Sequence, residues 1–111
     1  MKNYVQPGNT ITLTAPYAVV SGDGLLVGSI FGIASRTAAL GESVETALTG
    51  VFDITKIGSQ GWTAGARIYW DDTNTRATNV ATSNTLIGVA TEAVAGGAGD
   101  TIGRVRLNGA F

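Results

Sequence analysis

Thr10-Ile-Thr-Leu-Thr14 alternates without a break. Ile11 and Leu13 project to one side of an extended chain, and Thr10, Thr12 and Thr14 to the other, as in a strand buried on a single face. Immediately before it, Met1-Lys-Asn-Tyr-Val-Gln-Pro-Gly-Asn9 is short and polar and carries one charged side chain, with Pro7-Gly8 separating it from the strand. A run of that kind has little apolar surface to bury in its own domain. Residues 1–9 therefore read as an arm suited to being ordered by a partner, and residues 10–111 as one domain.

Toward the C-terminus the same punctuation recurs. Pro16 ends the first strand because proline has no amide hydrogen to give. Ala18–Ser21 reads as a second short strand and Gly22-Asp-Gly24 as a turn. Leu25–Val27 and Ser29–Ala34 read as a buried strand pair or as one strand kinked at Gly28. The stretch Ala34–Leu48 is ambiguous: Val44 and Leu48 stand one helical turn apart, yet Glu42–Ile54 also fits strands interrupted at Gly50. The strand reading is preferred for Val44–Asp53. Gly58–Gly61 reads as a loop, Ala66–Trp70 as a strand, and Asp71–Asn74 as a turn of side chains that bond back to their own backbone. Thr75–Ala81 is its hairpin partner, Leu86–Ala90 a continuously apolar strand, and Ala95–Asp100 a glycine-rich turn.

The last strand, Thr101–Asn108, contains a conflict of phase. Ile102 has even parity while Val105 and Leu107 have odd parity, so strict alternation cannot bury all three. A bulge at Gly103 would reconcile them, leaving Arg104 and Arg106 outside. Short strands at turn-punctuated spacing predict an all-β, single-domain sandwich or barrel.

Composition narrows the function. The 111 residues contain no cysteine and no histidine, which removes disulfides, thiolate metal sites and the usual proton shuttle near neutral pH. Net charge is −1, and the seven Lys and Arg are scattered, unlike the basic stripe of a nucleic-acid reader. No apolar run approaches the roughly 18 residues of a membrane span, and Lys2 is followed by polar residues rather than by the apolar core of a secretory signal. The expectation is a protein made in a cytosol-like compartment, without cofactor, metal, nucleic acid or membrane as partner. Only 14% of the residues are charged, too few for a surface that relies on charge to stay apart from neighbours. Much of that surface is expected to be covered in use.

Several short motifs occur in a fixed order: Val5-Gln-Pro-Gly8, Ile11-Thr-Leu-Thr-Ala-Pro16, Ser21-Gly22, Val27-Gly28 and Phe31-Gly32. They continue with Gly50-Val-Phe-Asp-Ile54, Tyr69-Trp-Asp-Asp-Thr73, Asn84-Thr-Leu-Ile-Gly-Val-Ala90 and Val105-Arg-Leu-Asn-Gly109. In this order and spacing the chain resembles, over nearly its whole length, the capsid cement (head decoration) proteins of tailed bacteriophages and prophages. It departs at Lys56-Ile57, where related chains often show a proline, and in Ala93–Asp100. The resemblance implies a compact, tulip-like β domain that binds the outside of the expanded head and stiffens it. It further implies a homotrimer at local three-fold positions that bridges major capsid protein subunits. The location implied is the virion surface, after synthesis in the bacterial cytoplasm.

Candidate sites follow from both readings. In the arm, Tyr4, Val5, Gln6 and Pro7 are the expected capsid contacts: an extended peptide adds to a sheet edge through backbone hydrogen bonds, and Tyr4 supplies an aromatic anchor. Neighbouring residues of a strand face opposite sides, so one of Tyr69 and Trp70 belongs to the core. Tyr69, with Trp62, is assigned to a subunit interface; together the three rings also suggest the alternative of a carbohydrate-binding or host-adhesion module. Asp71 and Asp72 are adjacent and lack the alternate spacing of a calcium loop, so they read as turn residues. Asp53 and Glu92 are the acids a glycosidase would need, although nothing in the sequence singles them out. Gly22-Asp-Gly24 with Gly28, and Gly96-Gly97-Ala98-Gly99, lack the following helix that a phosphate-binding loop requires. Serine and threonine are plentiful, but with no histidine and with only Lys2 and Lys56 as lysines, no base is placed to activate them. No enzyme is expected.

Overall fold

A computed structural model describes residues 10–108, folded into nine strands and no helix. The strands are β1 (Thr10–Thr14), β2 (Gly24–Val27), β3 (Ile30–Ala34), β4 (Ser43–Ala47), β5 (Thr49–Thr55), β6 (Arg67–Asp71), β7 (Arg76–Thr78), β8 (Thr85–Ala90) and β9 (Ile102–Asn108). They form two antiparallel sheets, a four-stranded one ordered β1-β4-β3-β2 and a five-stranded one ordered β5-β9-β8-β6-β7. The second sheet curls until its two edges meet. Lys56, just past β5, bridges Ala77 of β7 in parallel, and the Ile57 amide donates to the Ala77 carbonyl at 3.0 Å. Closure of this kind hides strand edges that would otherwise pair with other chains.

β1 forms as its alternation predicts, with Ile11 and Leu13 half-buried and the three threonines exposed. β2 and β3 are a hairpin rather than one kinked strand. Val27 pairs with Ile30 across the two-residue loop Gly28-Ser29, and Gly28 takes a φ of 60°, the left-handed conformation such a tight loop demands. β3 is buried on both faces. Phe31 and Ile33 join the main core, which fills the interior of the curled sheet with Ile54, Trp62, Ile68, Trp70, Ile87, Val105 and Leu107. Ala34 turns to a smaller cluster with Ala15, Val19, Leu25, Ala38 and Val44. One strand thus ties two cores together.

Three sequence expectations are corrected. Ala18–Ser21 is not a strand: only Val19 pairs, in an isolated bridge to Ala38, because the chain turns at once through Gly22. The Val44–Asp53 stretch is extended, but its break falls at Leu48. There the chain leaves the first sheet for the second, while Gly50 stays inside β5 opposite Leu107. The bulge expected at Gly103 is absent. β9 pairs with β5 in unbroken register from Ile102↔Thr55 to Asn108↔Thr49, so Ile102 points outward, 54% exposed, while Val105 and Leu107 are buried. The inward position that Ile102 would have needed is held by Gly103, and a β-carbon there would overlap the Trp62 ring. The phase shift lies instead where β8 meets β6: Ile68 faces Gly88 while Tyr69 faces Leu86. Ile87 is the extra residue, which lets Ile87, Gly88 and Ala90 all be buried.

Candidate functional site

The aromatic residues are divided between core and surface. Trp70 is 2% exposed and packs on Phe31 with ring centroids 4.9 Å apart, so the core member of the Tyr69–Trp70 pair is Trp70. Tyr69 remains half-buried on the opposite side of β6. Trp62, expected at a subunit interface, is a core residue at 3% exposure. Its backbone is bridged to Val94, and its ring fills the space left by Gly103. With both indoles inside the domain, Trp62, Tyr69 and Trp70 do not assemble an exposed stacking platform for a sugar. Tyr4, Val5, Gln6 and Pro7 lie outside the described residues.

Two polar nodes hold the loops around these rings. The Gln60 Oε1 accepts from the Trp62 Nε1 at 2.8 Å and from the Asn79 amide at 2.9 Å, and the Gln60 Nε2 donates to the Thr78 Oγ1 at 3.1 Å. The Lys56 side chain is 1% exposed. Its ammonium donates to the carbonyls of Ile57 (2.7 Å) and Asp100 (2.9 Å) and stands 5.4 Å from the Trp62 ring centroid. Burial pulls its pKa below the ordinary lysine value, and the nearby Asp100 carboxylate partly offsets that shift. Sequence reasoning missed both residues. The departure from the family pattern at Lys56 was the available signal, and it marks the point where the curled sheet closes.

Asp71 and Asp72 have separate tasks. The Asp71 Oδ1 accepts from the amides of Thr73 (3.1 Å) and Asn74 (3.3 Å), and its Oδ2 accepts from the Asn74 Nδ2 at 2.8 Å. These bonds, with the Asn74 side chain foremost, hold the Asp71 carboxyl below its ordinary pKa. This is the self-bonded turn its composition predicts. Asp72 instead ties the β1–β2 connection to β6: its Oδ1 accepts from the Tyr17 hydroxyl at 2.9 Å and from the Trp70 Nε1 at 3.1 Å. The same hydroxyl accepts from the Leu26 amide at 3.3 Å. Among the described residues, no group of three or more acids is placed to hold a metal ion.

Tyr17 and Trp70 border a cleft of about 580 Å³ between the sheets, lined also by Asp23, Lys56 and Arg76. Most of its polar groups are committed to internal bonds, but the buried Arg76 Nε has no hydrogen-bond partner among the described residues. The Asp23 Oδ2 accepts from the Val20 amide, Tyr17 is tied to Asp72, and Lys56 to two carbonyls. The two acids considered for glycoside chemistry do converge, but on one guanidinium. The Arg104 Nε donates to the Asp53 Oδ1 at 2.9 Å, and Glu92 lies 3.8 Å from the Arg104 Nη1. The bond from Arg104 holds the Asp53 carboxyl below its ordinary pKa, the wrong direction for a general acid.

The outer face of the curled sheet completes the inventory. Val51 of β5, Arg106 of β9, Val89 of β8 and Arg67 of β6 are paired in one row across four strands. Arg67, Leu86, Gly88, Val89 and Arg106 line a shallow groove of about 160 Å³ there.

A closed β domain most of whose buried polar groups serve internal latches, and whose outer face carries arginine among aliphatics, is built to hold shape and make contact. It defines a small structural binding module. The chain belongs to the phage cement protein family, whose model matches residues 5–107. It is therefore a capsid-associated structural protein of a bacteriophage, located on the virion capsid, and a non-enzymatic role fits that membership. No curated protein and no solved structure matches the chain.

Proposed function

We propose that the protein binds the outer surface of the expanded phage head and stabilises it by bridging neighbouring major capsid protein subunits, as a homotrimer at local three-fold positions. Family membership across residues 5–107 is the observation that carries this reading. The topology is compatible with an arm contact through Tyr4, Val5, Gln6 and Pro7: β1, which follows residues 1–9 directly, is an edge strand of the first sheet. A segment joined to an edge strand is within reach of a partner's backbone, to which it can add by strand pairing. Tyr69, half-buried on β6, is the residue assigned to contact between copies. A trimer meets three equivalent surfaces, so later contacts are intramolecular and avidity exceeds a single contact by roughly 10²–10⁴. Binding to the assembled lattice alone stabilises it by mass action.

Co-sedimentation with expanded, undecorated heads and with unexpanded proheads tests the reading. The expected result is saturable binding to expanded heads near the number of three-fold sites. Deleting residues 1–8 should leave the domain folded and abolish binding. Folded wild-type protein that binds neither particle refutes the capsid reading, and unchanged binding of the deletion variant refutes the role of the arm.

A further inference from the structure

The outer face of the curled sheet differs from the rest of the surface. Among the described residues, the large aliphatics most exposed to solvent are Val20, Leu40, Val51, Val80, Leu86 and Ile102. Val51, Leu86 and Ile102 belong to β5, β8 and β9, three adjacent strands of this sheet. Interleaved with them are Arg106, directly opposite Val51 and Val89, and Arg67, opposite Val89. The remaining cation of the face, Arg104, is neutralised by Asp53 and Glu92. No ion pair forms at Arg67 or Arg106 among the described residues. A chain of net charge −1 thus carries two uncompensated guanidinium groups on one patch, with a shallow apolar groove between them.

Arginine set among aliphatics, with lysine absent, is the composition of a protein-binding surface. The planar fork of each guanidinium matches a carboxylate in a bidentate pair. Arg67 and Arg106 sit two strands apart, so their backbones are about 10 Å apart across the sheet. The complement is therefore a surface with two carboxylates on either side of an aliphatic side chain.

We infer that this face, centred on Arg67, Arg106, Val89 and Leu86, is a docking surface for an acidic, aliphatic-centred patch on the outside of the capsid protein. The inference rests on the capsid-binding reading above and adds to it a second contact, independent of the arm. It replaces the assignment of Tyr69, which stands opposite Leu86 on this face, to contact between copies. Bidentate pairs in a dried interface fix orientation, and Val51, directly opposite Arg106, helps exclude water from the pair made there.

The test is quantitative co-sedimentation of wild type and Arg67→Glu/Arg106→Glu with expanded heads, with the mass of the free protein read by sedimentation velocity. Arg67→Gln/Arg106→Gln is run beside it and is the variant read if charge reversal impairs folding. Arg36→Gln is the control: it removes one exposed cation from the connection between β3 and β4, away from this face, and leaves the Arg104 pairing with Asp53 and Glu92 intact. The expected result is a loss of head affinity of about tenfold or more for the double variants, no comparable loss for Arg36→Gln, and unchanged mass and unfolding midpoint. Wild-type affinity in the double variants overturns the inference while leaving the capsid reading standing. A fall in the mass of the free protein means that the face joins copies of this chain, and also overturns it. So does wild-type retention on duplex DNA that is lost in the variants. If the wild type itself fails to bind heads, the capsid reading fails first and this inference falls with it.

Discussion

Gly103→Ala is the sharpest probe of how the domain is held together. Gly103 lies in β9, which is central to its sheet between β5 and β8, so the backbone at this position has no room to retreat. A β-carbon would overlap Cζ3, Cε3 and Cη2 of Trp62, and the indole would have to move. Overpacking of this kind costs about 1–3 kcal/mol. A displaced ring also loses the 2.8 Å bond from its Nε1 to Gln60, worth about 1 kcal/mol, and the Lys56 ammonium over its face, worth about 0.5–2 kcal/mol. The lower entropy of the unfolded alanine chain returns about 0.4–1 kcal/mol. The net destabilisation is about 1.5–5.5 kcal/mol, a large share of the 5–15 kcal/mol typical of a domain. In thermal unfolding that is a fall of roughly 6–25 °C. A double-mutant cycle with Trp62→Leu isolates the cause. Removing the ring should make Gly103→Ala cheaper, with a coupling of at least about 1 kcal/mol. A Gly103→Ala protein within about 0.5 kcal/mol of wild type, or an additive cycle, would refute the close approach of ring to strand.

Two further expectations concern the latch between the sheets. Burial, then the Asp72 carboxylate, pushes the Tyr17 phenol up to about 12, so the native state keeps a proton that the unfolded chain releases near pH 10. Its contribution is complete below pH 10 and lost as pH rises toward 12. The full shift corresponds to about 2.7 kcal/mol, which screening at this half-exposed position reduces to about 1 kcal/mol. Urea unfolding from pH 8 to 12 should show that loss in wild type but not in Tyr17→Phe; parallel curves would sink the assignment. Asp72→Ala strips the acceptor from both Tyr17 and Trp70 and should cost about 1–3 kcal/mol with a shift in tryptophan emission, while Asp72→Asn, which keeps a carbonyl oxygen, should retain much of the stability. Equal losses in the two variants would mean that the hydrogen bonds contribute nothing.

The unequal legibility of the chain has physical causes. The period-2 pattern of β1, the Asx chemistry of Asp71 and the division of Tyr69 from Trp70 are local properties, set by side-chain direction along a strand or by bonds within four residues. They could be read before any tertiary contact was known. The phase of β9 could not. Parity showed correctly that Ile102, Val105 and Leu107 conflict, but the resolution depends on a ring 41 positions earlier in the chain occupying the inward side of Gly103. Lys56 makes the same point. Lysine is almost never fully buried unless paired; the Ile57 carbonyl is a neighbour in sequence, but the Asp100 carbonyl and the Trp62 ring reach Lys56 only through tertiary contacts.

Composition and order of motifs by themselves determined the all-β class, the lack of thiol or imidazole chemistry and the resemblance to a capsid cement protein, because each depends on which residues are present and in what succession. The tertiary structure alone decided that Trp62 belongs to the core, that Asp72 bonds Tyr17 of the β1–β2 connection as well as Trp70, and that Arg104 is neutralised while Arg67 and Arg106 are not. Those outcomes depend on which strands become neighbours, and cross-strand register places side chains together across separations of tens of residues that no local pattern encodes.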